Sequence, residues 1–512
     1  MHSRSSLFLA IACFWGLQLS CDAVAQVQSP SQAGPGEMTA ATIGAVLQAR
    51  QAQLAAEQGR PVQHTPATIP AFALALDPSG SIGTVQPGGL TFTATNPFFQ
   101  NLGTNGRTCF TCHQPQDGWS LTPATVRDRF VKSHGADPVF RVVDGATCPT
   151  ADVSTLPAQW VAYRLLLTKG LIRVALPLPP TPTTVLEYQV MAVHDPYTCT
   201  TDPRTGLTSV EASRPTMGLV SVYRRPLPAT NLGFLSAVMW DGREASLATQ
   251  AVDATLGHAQ AQTAPTPTQV QEIVAFETGL FTAQYLDSEA GVLTGRQARG
   301  GPGALAQQPF YLGINDPLGN NPTGAPFTST IFTLYTSWLT PTRGNAVAQQ
   351  RAAIARGERL FNTKAFDITE VSGLTDVLGQ AHLPGFCGTC HDTPNVGNHS
   401  VKAPLNIGIA DPAPPGLDVA ALPVFTLRCI AGPLAGQVFQ VTDPGRALIS
   451  GHCADIGKFK GPILRGLAAR APYFHNGSAG TLADVVSFYD QRFHIGLSDQ
   501  EKTDLVNFLK AL

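Results

Sequence analysis

Apolar residues in the C-terminal part of the chain recur with the spacing of a single helix face. Leu482, Val485, Val486 and Tyr489 fall at i, i+3, i+4 and i+7, which predicts a helix that carries Tyr489 inward on its apolar stripe. Ser498-Asp499-Gln500-Glu501 forms a capping box, and Leu505, Phe508, Leu509 and Leu512 give the last helix one apolar face. Another helix starts near Ala346 and ends at Arg356-Gly357-Glu358-Arg359-Leu360-Phe361, and residues 40–57 hold a further helical stretch. Trp160 to Val174 and Val185 to Val193 are apolar and rich in strand formers, with the Pro-rich Leu176 to Thr184 between them. They read as a small antiparallel element. Residues 262–345 mix helix and loop, broken at Pro265, Pro267 and Gly300–Gly303.

The N-terminus has a different pattern. Arg4, the apolar run Leu7 to Leu19 and Ala23-Val24-Ala25 read as a secretory signal over residues 1–25, cleaved before Gln26. Leu19-Ser20-Cys21 offers a lipoprotein site as the alternative. The apolar run is too short to span a bilayer and no later stretch qualifies, so no transmembrane segment is expected. An exported, periplasmic chain follows. With a net charge of -2 and 13% charged residues, nothing points to nucleic acid or an anionic membrane. The 48 Gly and 41 Pro predict long loops around short helices.

Ten cysteines sharpen this picture. Cys13 and Cys21 lie in the signal, and four others form two Cys-x-x-Cys-His motifs, Cys109/Cys112/His113 and Cys387/Cys390/His391. The remaining Cys148, Cys199, Cys429 and Cys453 suit an oxidising compartment, and Cys148–Cys199 and Cys429–Cys453 disulfides are expected. Two thiols at this spacing can form thioethers with both vinyl groups of a haem, and the adjoining His can ligate its iron. Neither motif has a second Cys pair nearby to complete a zinc site. Two covalent haem c groups are the reading. The fold class is then mainly α, with two tandem cytochrome c-like haem domains, long loops and a small antiparallel β insertion. The expected division is an extension at 26–90, a first haem domain at 91–345 with an insertion at 135–215, and a second at 346–512.

The five Met residues, at 1, 38, 191, 217 and 239, all lie outside the second domain, so that domain cannot supply His/Met ligation to its own haem. His382, His399, His452, His475, His494 and several Tyr remain as candidates there.

These motifs resemble the bacterial di-haem cytochrome c peroxidase family, which includes the di-haem enzyme of methylamine utilisation. The match runs through Cys109 to His113, then Trp240-Asp241-Gly242-Arg243 with Leu247 and Gln250. It continues through Cys387 to His391, then Leu464-Arg465-Gly466 and Ala471-Pro472-Tyr473-Phe474-His475 to Leu482. The resemblance implies that Trp240 relays electrons between two haems and that Gln250 lies over the peroxidatic haem. It puts Tyr489 where peroxidases carry the methionine ligand of the C-terminal haem, and the methylamine-utilisation enzyme is similar in having Tyr there. Tyr489 and His475 stand as alternative ligands of that iron.

The chain also departs from the family. Gln260 replaces the catalytic Glu, leaving His258 as an acid–base candidate, because an imidazole titrates near neutrality. Arg224-Arg225-Pro226-Leu227-Pro228 replaces an Asn that helps to hold an interdomain calcium, which argues against calcium. The insertion displaces the loop bearing the first haem's distal His. His134 is the nearest substitute, and without it the first haem is five-coordinate.

The resemblance implies an oxidoreductase that reduces hydrogen peroxide at the first haem with electrons from a small cytochrome or copper protein. More distantly, the chain is similar to di-haem rubber oxygenases, which makes dioxygen and an organic substrate the alternative. A plain electron carrier is the third reading.

Overall fold

The structure, a computed structural model, describes residues 65–181, 183–197, 218–295, 297–339 and 345–512. The leader at 1–25, the helix at 40–57 and Cys199 lie outside them. The described residues fall within one contact unit, Ala49–Leu512.

An N-terminal hairpin builds the first support. Strand Phe72–Asp77 turns through Pro78-Ser79 into Gly80–Val85, which pairs on its other edge with Phe281–Asp287, all antiparallel. Asp77 Oδ1 accepts from the Ser79 amide at 2.7 Å and sets the turn. A Cβ at Gly80 would lie 2.3 Å from the Leu286 carbonyl oxygen, so glycine is what lets the third strand close up. Ile82 and Thr84 are buried on the middle strand, and Thr84 Oγ1 accepts from the Trp119 indole at 2.9 Å. The sheet thereby fixes Trp119, six residues past His113.

The insertion differs from its expected form in two ways. Trp160–Val174 is mostly helical: Leu156–Ala162 and Arg164–Lys169 are helices, and strand begins only at Ile172. Thr155 caps the first of these helices through the Ala158 amide, and Leu165, Leu166 and Leu167 bury the second, so local capping and burial outweigh strand propensity. The insertion's two strands also do not pair with each other. Ile172–Leu178 pairs with Gly218–Arg224, while Tyr188–His194 pairs with Val424–Cys429, far along the chain. Strand is therefore spread along the chain, although helix outweighs it, 29% to 19%. Cys429 is bonded to Cys453, as expected. Cys148 is also disulfide-bonded.

The C-terminal helices form as the periodicity predicts. Asp499–Lys510 is capped by Ser498 and Glu501, and Leu482–Phe493 by Thr481 and Asp484. Ala346–Thr363 crosses the last helix at Gly357, where a Cβ would lie 2.0 Å from the Asp504 carbonyl oxygen and 2.6 Å from Phe508 Cβ. Phe332, Phe361 and Phe508 pack edge to face beside the crossing, and Arg356 holds Asp504 through two 2.7 Å bonds. A Gly357→Ala substitution forces the helices apart and is expected to cost about 1–3 kcal/mol. Thermal unfolding checks this; an unchanged Tm contradicts it.

Candidate functional site

Both Cys-x-x-Cys-His segments fold into the same turn. Cys109–Thr111 and Cys387–Thr389 are each a single 3-10 turn, in which the second Cys amide and the His amide donate to the first Cys carbonyl. Thr111 and Thr389 brace the turns by accepting, at 3.0 Å each, from the Thr108 and Phe386 amides. His113 Nδ1 lies 3.0 Å from the Trp119 carbonyl oxygen, and His391 Nδ1 lies 2.8 Å from that of Gly397. A carbonyl only accepts, so Nδ1 carries the proton and Nε2 keeps its lone pair. Burial pulls both imidazoles down to about 4 and keeps them neutral. Trp119 and Gly397 both adopt left-handed backbone, φ 58 and 76.

Two cavities open at these turns. The first, about 160 Å³, is lined by the Cys109, Cys112 and His113 side of the chain together with Gln250, His258 and Glu277. The second, about 280 Å³, is lined by Cys387, Cys390, His391, Tyr489, Leu505 and Leu509. Pro226, Leu227, Leu235 and Trp240 line both, so they form the shared wall. Trp240 is pinned there by its indole, which donates to the Arg225 carbonyl oxygen at 2.9 Å.

The chemistry of the walls fits covalent haem at both turns. Burial pushes all four motif thiols up, Cys387 and Cys390 to about 12, whereas an exchanging dithiol needs a lowered value. Among the described residues no cluster of three or more His, Cys, Asp and Glu could hold a bare metal ion. Lys460, Arg225 and Arg470 line the second cavity. Both guanidinium groups bond to backbone carbonyls, and the ammonium lies 5.9 Å over the Trp240 ring. Burial lowers Lys460 to about 8 and both arginines to about 10. Cations buried in this way suit a group that brings its own carboxylates, as haem propionates do.

The structure places the other expected residues as follows. Tyr489 lies in the second cavity beside Cys390, packed on Phe474, Phe488 and Phe493, and burial pushes its phenol up. His475 also lines that cavity but is fully buried, stacked 3.8 Å from Phe459 and 6.3 Å from the Trp240 ring, with neither ring nitrogen hydrogen-bonded. It stands toward the shared wall. Gln260 accepts from Asn105 Nδ2 at 3.2 Å and its carbonyl accepts from Thr104 Oγ1, which is a structural task. His134 closes the Pro123–Ser133 helix with φ 49 and is not among the residues lining the first cavity.

His258 has a partner that its sequence context did not show. Its Nδ1 lies 2.6 Å from Asp144 Oδ2, and Asp144 takes Arg107 through bonds of 2.6 and 2.7 Å. Burial works against the Asp144 charge, but Arg107 and His258 hold its carboxyl down at about 2. Asp144 comes from the insertion and Arg107 from the loop before Cys109. Glu277 and Met239 also line the first cavity and were missed. The signal for Glu277 was its i+7 spacing from Val270 and i+4 spacing from Ile273, an acid on an apolar face.

Fold and turns together define a c-type cytochrome. Residues 458–495 match the family model described as RoxA-like, cytochrome c-like. The cytochrome-c peroxidase IdrP2 of Denitromonas iodatirespirans is 38% identical over 136 residues, 25% of this chain and 36% of that protein. The cytochrome-c peroxidase IdrP1 of the same organism is 44% identical over 69 residues, 11% of this chain and 18% of that one. The cytochrome c551 peroxidase of Nitrosomonas europaea is 26% identical over 171 residues, 31% and 42% of the two chains. The chain thus spans less than half the length of each of these relatives. A solved structure of a MauG-like protein associated with microbial copper homeostasis aligns over 57% of this chain and 76% of its own, with 16% identity and a TM-score of 0.32. The three relatives, all named as cytochrome c peroxidases, support the chain's resemblance to the di-haem cytochrome c peroxidase family.

Removing the Asp144 charge should expose its electrostatic role. Asp144 in the fold titrates below the ordinary aspartate value of 3.8, so its contribution is full above that pH and is lost as pH falls toward about 2. Asp144→Asn leaves Arg107 buried and unpaired at neutral pH, at a cost of about 3 kcal/mol or more. The melting gap between variant and parent is expected to narrow as pH falls through that window; a gap independent of pH contradicts the assignment.

Proposed function

We propose that this chain is a periplasmic di-haem c-type cytochrome that reduces hydrogen peroxide in the first cavity with electrons relayed from the second. The observation that carries the reading is the pair of matching Cys-x-x-Cys-His turns opening into cavities that share the Trp240 wall. Similarity to named cytochrome-c peroxidases supports it. Haem iron held by His113 supplies peroxide activation and electron transfer. The reaction takes two electrons and two protons per peroxide and yields two waters.

The chain's own residues handle the protons. Asp144 fixes the proton on His258 Nδ1, which leaves Nε2 free to take one from peroxide and return it to the departing oxygen. Gln250 lines the same cavity and offers an amide to orient the oxidant. Trp240 carries electrons across the shared wall. Tyr489 is the ligand of the second iron, because it lies beside Cys390 whereas His475 stacks at the wall. The donor is a small cytochrome or copper protein.

A second reading, an oxygenase acting with dioxygen on an organic substrate, is favoured by the RoxA-like match at 458–495. The structural use of Gln260 where peroxidases carry Glu favours it too.

Stopped-flow turnover of peroxide with a reduced donor separates the two. The parent is expected to consume peroxide, and His258→Ala to lose about 10²-fold or more in kcat/KM while keeping its haem content. Stable dioxygen binding without peroxide turnover favours the oxygenase. A resting ferric spectrum with both irons six-coordinate and low-spin, Met239 ligating the first, leaves only an electron carrier.

A further inference from the structure

The helices Pro267–Thr278 and Asp499–Lys510 play equivalent parts at the two cavities. Each presents two residues one turn apart to its cavity: Leu505 and Leu509 at the second, Ile273 and Glu277 at the first. Each also serves the first cysteine of its motif. Cys387 packs on the cluster that holds Leu505 and Leu509, and Cys109 on the cluster that holds Ile273 and Phe276. Glu277 therefore stands where the second site has Leu509.

An apolar position has been given to a carboxyl group. Glu277 is 5% exposed, and its Oε2 has no hydrogen-bond partner among the described residues. Burial alone pushes it up to about 8. The charges around this cavity are engaged elsewhere. Asp144 holds Arg107 and His258, while Arg224 holds Asp241 and Asp443. Arg243 bonds to Asp241, and the Arg225 guanidinium donates to backbone carbonyls. The thiols of Cys109 and Cys112 become thioethers when haem is attached. Among the described residues, Glu277 is thus a titratable group that no ion pair neutralises, and it lines the cavity that the first haem would fill.

We propose that Glu277 is the proton-coupling group of the first haem: its carboxylate takes up one proton from solvent when the iron held by His113 gains an electron, and gives it back when that electron leaves. The inference rests on the reading that Cys109, Cys112 and His113 hold haem. The electron comes from the small redox protein named as donor, and the O–H bond formed on Glu277 offsets its charge. In a low-dielectric cavity an added electron disfavours a neighbouring carboxylate, so electron and proton arrive together. Above about pH 8, where Glu277 is ionised before reduction, each electron then brings to the cavity a proton that peroxide reduction consumes.

Spectroelectrochemical titration of the purified holoprotein tests this, from about pH 6 to about pH 10 so as to bracket the raised Glu277 value. The first haem's midpoint potential is expected to fall as pH rises, approaching about 59 mV per pH unit, the tenfold equivalent for one electron. In Glu277→Gln and in Glu277→Leu, which copies Leu509, that slope flattens while the second haem's slope stays as in the parent. A protonated-carboxyl stretch in the reduced-minus-oxidised infrared spectrum disappears in both variants. If both variants carry both haems and keep the parental slope and band, the proposal is overturned. A parent that lacks haem at Cys109 shows instead, by its mass, that the underlying haem reading has failed.

Discussion

A histidine that is to ligate iron must be neutral and held in one tautomer; here burial keeps His113 and His391 neutral, and a single hydrogen bond fixes the tautomer of each. The Nδ1–H of His113 and of His391 is given to a carbonyl six residues on, at Trp119 and Gly397. Each turn must double back tightly enough to present that carbonyl, which requires left-handed backbone at both positions. At Gly397 this is inexpensive, and a Cβ there would meet Phe332 at 2.7 Å. At Trp119 a bulky residue takes the same conformation, held by Thr84 through the indole and by Phe98 and Phe276 around the ring. The N-terminal sheet is thereby tied to His113.

Buried charge shapes the rest. Arg224 and Arg243 neutralise Asp241 and Asp443 where the Gly218–Arg224 strand meets the C-terminal half. Lys460, Arg225 and Arg470 have no carboxylate ion-pair partner among the described residues and line the second cavity, where a propionate-bearing group would supply one. The first cavity holds the acid–base chemistry, in the Asp144–His258 couple and in Glu277. The second is mostly apolar around its thiols, with the phenols of Tyr473 and Tyr489 in its lining. This difference fits a division between a site that reacts and a site that passes electrons.

Features written in local pattern were legible in the sequence. The two motifs, the helices around Tyr489 and Leu509, the capping box at Ser498 and the Cys429–Cys453 bridge all depend on residues close together or on chemistry with one strong meaning. Long-range pairing was not legible. The Tyr188–His194 strand finds its partner at Val424–Cys429, and no periodicity within either segment names the other. The couple of His258 to Asp144 crosses a separation of 114 residues and was equally hidden. Glu277 was overlooked for another reason: an acid on an apolar helix face reads as an ordinary surface residue until the cavity beside it is seen.

Everything rests on haem being bonded to the polypeptide at both Cys-x-x-Cys-His turns. The most direct measurement is the intact mass of the purified, denatured protein, with peptide mapping of Cys109, Cys112, Cys387 and Cys390. The account predicts two covalently attached haems, one on each cysteine pair. A mass with no haem or only one, or free thiols at either pair, would contradict it.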